Sequence, residues 1–183
     1  MQKFNRFSQL LGMGLALGAV TGCASNTITP TTAKVAPTKT IVSQATSCQM
    51  ISNDEVARLF DRWNAALQSL DPARVAANYG PNSILLPTVS NRPRVTPAAI
   101  QDYFAHWLVK APKGEILQRH ITTGCNFAVD SGVYRFTYKN NEKVTARYTY
   151  VYRYDPTSKQ WLISSHHSSA MPQPLDKEPI QAF

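Results

Sequence analysis

The sequence predicts an α+β domain in which helices come first and long antiparallel strands follow. Residues 53–70 carry apolar side chains at helical spacing, and proline after Asp71 and after Thr96 marks the starts of two more helices. From residue 115 onward, polar and apolar residues alternate in runs that turn-forming residues separate. Helices followed by strands are typical of an α+β plan. A sheet curved around the first helix would leave a pocket between the sheet and the third helix.

Capping signals bound the three predicted helices. A capping box at residues 52–55 starts the first helix, predicted over 53–70. The second is predicted over 72–79 and ends before Gly80, and the third is predicted over 96–111 and ends before Pro112. The apolar positions on the first and third helices are Val56, Leu59, Phe60, Trp63, Ala66, Leu67, Leu70, Ile100, Tyr103, Phe104, Trp107 and Leu108.

The strand pattern begins with a short apolar segment over 83–87 and resumes after the third helix. The later segments are predicted over 115–122, 126–129, 132–139, 143–154 and 160–169. Turns are predicted at 130–132, 140–141 and 155–156, where Asp, Asn, Gly and Pro cluster. The segment 143–154 alternates cleanly, so its tyrosines face one side and Arg147, Thr149, Val151 and Arg153 face the other.

The first 22 residues have the layout of a secretory signal peptide, with Lys3 and Arg6 ahead of an apolar run that is too short to span a bilayer. The small residues before Cys23 resemble a bacterial lipobox, which implies lipidation of Cys23; the alternative is an ordinary signal peptide with an incidental cysteine. Residues 23–47 predict a disordered Thr/Pro-rich stalk, 48–175 the folded domain and 176–183 a tail. We therefore expect a membrane-anchored extracytoplasmic lipoprotein, on the periplasmic face of a bacterial outer membrane.

The net charge and the cysteine content limit the kinds of partner and the disulfide pairing that we expect. The net charge of +8 falls to +6 when Lys3 and Arg6 leave with the signal peptide, and no run of five basic residues forms a nucleic-acid patch. We expect no nucleic-acid partner and no cofactor. If Cys23 is lipidated, Cys48 and Cys125 remain as an even pair in an oxidising compartment, which favours a disulfide over two separate buried thiols.

Three segments resemble one known family. They are 60–67 (FDRWNAAL), 86–91 (LPTVSN) and 161–172 (WLISSHHSSAMP), and they resemble the association (hub) domain of calcium/calmodulin-dependent protein kinase type II, with a closer match to its free-standing bacterial relatives. The resemblance implies a cone-shaped nuclear transport factor 2-like fold, with N-terminal helices packed on a curved antiparallel sheet. It also implies self-association through the outer sheet face, as a homodimer or higher homo-oligomer, and a small molecule in the cone.

The chain departs from the kinase hubs in two respects. The sequence lacks the glycine-rich loop, ATP lysine and catalytic aspartates of a kinase, so no kinase activity of its own is expected. Arginines in the cone of the kinase hubs fall at Tyr138, Tyr150 and Ser168 here, so the pocket should be more aromatic and less cationic. We expect it to hold a small, partly aromatic or amphipathic molecule. The predicted pocket residues are Tyr79, Tyr103, Trp107, Tyr138, Tyr148, Tyr150, His166 and Ser168.

Catalysis is the alternative to binding. The superfamily includes isomerases, dehydratases and cyclases that use a pocket histidine or aspartate, and His166 with Tyr150 are the candidates here; His106, His120 and Tyr103 are further acid–base candidates. The tyrosines of 143–154 could equally be packing residues. His166 and His167 point to opposite faces of a strand, so no metal site is predicted. Arg119 and Arg147 lie on predicted central strands. They could form salt bridges at an interface or on the surface, or they could bind an anion.

Overall fold

The computed structural model describes residues 47–181. The predicted signal peptide, Cys23 and nearly all of the stalk lie outside that range. No helix within residues 47–181 is long and apolar enough to cross a membrane. The helices are α1 (Asn53–Gln68), α2 (Pro72–Ala76) and α3 (Pro97–Trp107), which a 3-10 turn at Leu108–Lys110 extends. The strands are β1 (Tyr79–Leu86), β2 (Lys113–Gly124), β3 (Phe127–Thr137), β4 (Lys143–Asp155) and β5 (Gln160–Ala170).

The strands form one sheet in the order β1-β5-β4-β3-β2. Strands β2 to β5 pair antiparallel, as the sequence predicts, and β1 pairs parallel with β5. Helix α1 packs on β2 and β3, and α3 packs on β1 and α2. The α+β prediction is therefore confirmed, with one parallel pair added to a sheet that is otherwise antiparallel.

Helix α1 forms where its capping and its apolar stripe predict. The Ser52 hydroxyl accepts a hydrogen bond from the Glu55 amide at 3.3 Å, and the Glu55 carboxylate accepts one from the Ser52 amide at 2.8 Å. Val56, Phe60 and Trp63 are almost fully buried against the sheet. Leu70, which was predicted to extend the stripe, is instead 52% exposed with φ of 56°, because the helix ends at Gln68 and the chain turns there.

Two boundaries differ from the prediction around the first strand. Helix α2 ends at Ala76 instead of near residue 79, and β1 begins at Tyr79 instead of Ser83. Tyr79 pairs with Ile163 of β5, and the register then shifts before Ile84 pairs with Ser165. The irregular stretch between them hides the strand pattern in the sequence, because side-chain alternation is lost at a register shift.

The predicted turn at 130–132 is wrong. Asp130, Ser131 and Gly132 lie inside β3, so the predicted segments 126–129 and 132–139 belong to one strand. Asp130 belongs to the core face and is fully buried, where Arg119 and Tyr148 hydrogen bond to its carboxylate. Gly132 lies opposite an irregularity in β2, and a Cβ atom there would come within 2.0 Å of the Gln118 carbonyl oxygen. Glycine is therefore required at position 132, because the backbone of β2 approaches it too closely for a Cβ atom.

A disulfide between Cys48 and Cys125 ties the start of the domain to the β2–β3 turn, as predicted. Asn126 supports the same junction, because its Oδ1 accepts from the Gln49 amide at 2.7 Å and its own amide donates to the Gln49 carbonyl at 3.0 Å. The cysteines are 77 residues apart. A loop of that length corresponds to about 4.5 kcal/mol of stabilisation on the chain-entropy account.

Candidate functional site

A small, partly open cavity lies between α3, the loop after β1 and the core faces of β3 to β5. The space open to the centres of water-sized molecules is about 40 Å³. That volume is small for a ligand pocket and suits a few water molecules or a small ligand. Its lining residues are Trp63, Leu85, Pro87, Thr88, Val89, Tyr103, Phe104, Trp107, Tyr134, Phe136, Tyr138, Val144, Ala146, His166 and Ser168.

Four polar side chains meet at one end of this cavity, and we call them the polar corner: Thr88, Tyr134, His166 and Ser168. The Tyr134 hydroxyl donates to Ser168 Oγ at 2.6 Å, and Ser168 Oγ is hydrogen bonded to Thr88 Oγ1. Tyr134 Oη lies 3.4 Å from His166 Nε2. His166 and Ser168 share the core face of β5 because they are two residues apart, while His167 between them is exposed.

His166 is held as a neutral imidazole. Burial lowers its pKa to about 3, and the neighbouring His167 adds a smaller lowering effect. The Tyr79 hydroxyl lies 2.8 Å from His166 Nδ1, and burial raises the pKa of Tyr79, which keeps the hydroxyl protonated. Donation from Tyr79 to Nδ1 assigns the remaining proton to Nε2, on the side of Tyr134.

These assignments fix which group donates in each hydrogen bond from Tyr79 to Ser168. The Tyr79 hydroxyl donates to His166, whose Nε2–H faces Tyr134, and the Tyr134 hydroxyl donates to Ser168. The bond between Ser168 Oγ and Thr88 Oγ1 can run in either direction, because a hydroxyl oxygen can accept two hydrogen bonds. In either case, one of these two hydroxyls keeps a proton that it can donate to a molecule inside the cavity.

The remaining walls are aromatic and apolar, and none of the residues that line the cavity is charged at neutral pH. Two cations lie over aromatic rings that line the cavity. The Arg94 guanidinium lies 5.5 Å from the centre of the Tyr103 ring, and the Lys110 ammonium lies 5.1 Å from the centre of the Tyr138 ring. Burial raises the pKa of Tyr103 to about 12. The site is therefore apolar and aromatic, with hydrogen-bonding groups at one end.

The predicted pocket residues divide into two groups. Tyr103, Trp107, Tyr138, His166 and Ser168 line the cavity. Tyr79, Tyr148 and Tyr150 are buried behind it. The Tyr150 ring stacks on the His166 ring at 4.1 Å between centres, and its hydroxyl has no hydrogen-bond partner among residues 47–181. His166 and Tyr150 are thus brought together by ring stacking and not by a hydrogen bond.

The other acid–base candidates lie elsewhere. His106 is exposed on α3, where its Nδ1 lies 2.8 Å from the Asp102 carbonyl oxygen, and His120 is exposed on β2. Arg147 is exposed on the outer sheet face. Within the described range, no group of three or more His, Cys, Asp or Glu side chains is arranged to hold a metal ion.

Arg119 belongs to a partly buried ion pair with the fully buried Asp130. Its Nε lies 3.2 Å from each carboxylate oxygen of Asp130, and Tyr148 donates to Asp130 Oδ1 at 2.8 Å. Burial raises the pKa of Asp130, and the adjacent Arg119 only partly opposes that effect. The Tyr148 ring stacks on Tyr134 at 4.9 Å between centres. This cluster therefore supports the polar corner from behind.

Sequence reasoning did not name two members of the polar corner. Thr88 belongs to the 86–91 segment that carries the family resemblance, and it faces the cavity from the loop after β1. Tyr134 shares the alternation of Phe136 and Tyr138, both of which face the core. That alternation lies within the predicted strand 132–139 and could have identified Tyr134.

The fold and the match to a sequence family define the class of this protein. Residues 52–172 match the profile of the calcium/calmodulin dependent protein kinase II association domain. The chain belongs to that family. No curated protein sequence matches it.

Solved structures agree with this assignment. A Xanthomonas campestris protein assigned to the same association domain family is 49% identical, covering 66% of this chain and 88% of its own, with a TM-score of 0.61. A nuclear transport factor 2-like protein of unknown function from Pseudomonas putida KT2440 is 20% identical, covering 71% and 92%, with a TM-score of 0.57. The iota-carbonic anhydrase from a cyanobacterium, complexed with bicarbonate, is 22% identical, covering 68% and 95%, with a TM-score of 0.59. The last two likenesses establish the shared fold.

Proposed function

We propose that this protein is an exported, lipid-anchored, self-associating domain whose cavity binds a molecule of three or four heavy atoms. Membership of an association domain family supports self-association. The signal-like leader and Cys23 support export and anchoring. The polar corner carries the binding proposal, because four hydrogen-bonding side chains converge on a small cavity.

Carbon dioxide and bicarbonate are the ligands that this cavity suits best. Molecules of three or four heavy atoms are in keeping with the small volume of the cavity. Bicarbonate can accept a hydrogen bond from the Thr88 or the Ser168 hydroxyl and can also donate one, while carbon dioxide suits the apolar walls. A protein of the same fold is described in complex with bicarbonate, which supports the choice of this probe.

A bicarbonate titration followed by NMR tests the proposal. The wild-type protein is expected to show saturable shifts at cavity residues, and Ser168→Ala is expected to weaken binding about tenfold, because one hydrogen-bonding group is lost. Ser169→Ala is the matched control, because Ser169 is the adjacent serine and lies on the other face of β5. Equal affinities for both variants, or no saturable shift in the wild type, would contradict the proposal.

Hydration of carbon dioxide is the second candidate function, favoured by the polar corner and by the carbonic anhydrase with this fold. The reaction adds a water oxygen to carbon and releases one proton. His166 has a pKa of about 3 and would serve as a hydrogen-bond donor instead of a base. An isomerase, dehydratase or cyclase acting on a larger substrate is less well supported, because the cavity is small. Stopped-flow hydration at the uncatalysed rate would reject this candidate.

The anchor is testable by mass. The mature protein is expected to begin at Cys23 and to carry the mass of a diacylglycerol plus an acyl chain, and Cys23→Ser should remove that mass. Two or three acyl chains hold firmly, because each buried methylene contributes about 0.8 kcal/mol. A mature N-terminus at another residue, or an unmodified Cys23, would reject lipid anchoring without affecting the binding proposal.

A further inference from the structure

One apolar residue on the outer sheet face is buried without belonging to the core. Val133 is only 7% exposed, although the core cluster on the other face includes its neighbour Tyr134 and not Val133 itself. Its cross-strand neighbours, Gln118 and Arg147, are polar and belong to the same outer face. Something outside the core must therefore cover Val133.

The C-terminal strap, which we define as residues 171–181, lies over this part of the outer face. Pro179, Ile180 and Gln181 of the strap line one groove together with Val133 and Arg147. The Gln118 side-chain amide donates to the Gln181 carbonyl. The strap is turn-rich and contains no strand or helix, and two of its backbone hydrogen bonds close a turn on the Pro174 carbonyl.

The strap does not seal against the sheet. The groove between them leaves about 520 Å³ for the centres of water-sized molecules, far more than a tightly packed interface would leave. Ile180 is only partly buried, and Pro179 and Gln181 are exposed. A cover held by a few apolar contacts and by hydrogen bonds open to water can be displaced at modest cost.

We propose that the C-terminal strap is a removable cover on the outer sheet face at Val133, and that a second copy of this chain competes with it for that face. The inference rests on the self-association proposed above. A second copy fits because the family associates and because the outer face presents Val133 to whatever replaces the strap. The apparent affinity between copies is then reduced by the fraction of time that the strap is closed.

The strap is tested by sedimentation equilibrium of the full chain carrying Cys23→Ser, which removes lipid-driven association. Ile180→Asp places a charge beside Val133 and is expected to open the strap and to lower the dimer Kd about tenfold, which corresponds to a strap closed about nine-tenths of the time. Leu175→Asp is the matched control, because Leu175 belongs to the strap but does not line this groove. It should leave the Kd unchanged.

A second substitution identifies the surface. Val133→Asp is expected to abolish dimerisation even when combined with Ile180→Asp, while thermal unfolding shows that both variants are folded. A dimeric wild type with an unchanged or weaker Ile180→Asp dimer would overturn the inference alone, since the strap would then be neutral or part of the interface. Monomers for both wild type and Ile180→Asp at millimolar concentration would reject self-association, and the inference with it.

Discussion

Replacing Trp63 with alanine is expected to lower the free energy of unfolding by about 3–5 kcal/mol. Trp63 is 1% exposed and lies at the centre of the aromatic core. Its ring lies within 6.4 Å, centre to centre, of the rings of Phe60, Phe104, Trp107, Phe136, Tyr150 and His166. Alanine would leave a large void among rigid rings that cannot collapse. Domains are stable by only about 5–15 kcal/mol, so the loss is a large share of the total.

Urea denaturation measures this loss, and Trp161→Ala is the control. Trp161 is also a tryptophan, but its side chain is partly exposed. The aromatic ring that it contacts is that of Tyr154. It should cost about 1–2 kcal/mol. Equal losses for the two variants would mean that the domain is not organised around Trp63.

Acidification from pH 7 to pH 5 is expected to cost about 2 kcal/mol of stability through His166 alone. Its pKa is about 3 in the folded protein, against 6.5 for an unperturbed histidine. Between these values the unfolded chain binds the proton and the folded chain does not, so stability falls as pH is lowered through that window. The cause is burial, because a charged imidazole among aromatic rings would lose its hydration.

The unfolding free energy of the wild type and of His166→Gln across this pH range isolates the effect. Glutamine does not titrate, so the variant should lose the part of the slope that belongs to His166. The raised pKa of Asp130 acts in the opposite direction, since that carboxyl keeps its proton to higher pH in the folded state, and it is common to both proteins. Parallel pH profiles would show that His166 titrates normally in the fold.

The helices could be predicted because their signals are local. The capping box at Ser52 and Glu55 and the stripe through Val56, Phe60 and Trp63 define α1 without reference to the rest of the chain. The tyrosine alternation in β4 and the opposite orientations of His166 and His167 in β5 follow from strand geometry in the same way. The Cys48–Cys125 disulfide was predicted from the number of cysteines and from the oxidising compartment that the leader implies, and the structure contains it.

The parts that were missed depend on contacts between distant residues. Asp130, Ser131 and Gly132 read as a turn, because nothing nearby in sequence shows that Arg119 and Tyr148 satisfy a buried Asp130. The polar corner likewise joins a loop residue, Thr88, to strand residues 46 to 80 positions later. The small volume of the cavity is a property of packing, and no pattern in the sequence predicts it.

The central claim is that the polar corner holds a molecule of bicarbonate size. A crystal structure of the full exported domain, grown or soaked in bicarbonate, tests this most directly. We expect one bicarbonate in the cavity, within hydrogen-bond distance of the Thr88 and Ser168 hydroxyls, and a lower occupancy in Ser168→Ala crystals soaked at the same subsaturating concentration. A cavity that stays closed or empty at saturating bicarbonate, with the anion only on the surface, would contradict the account.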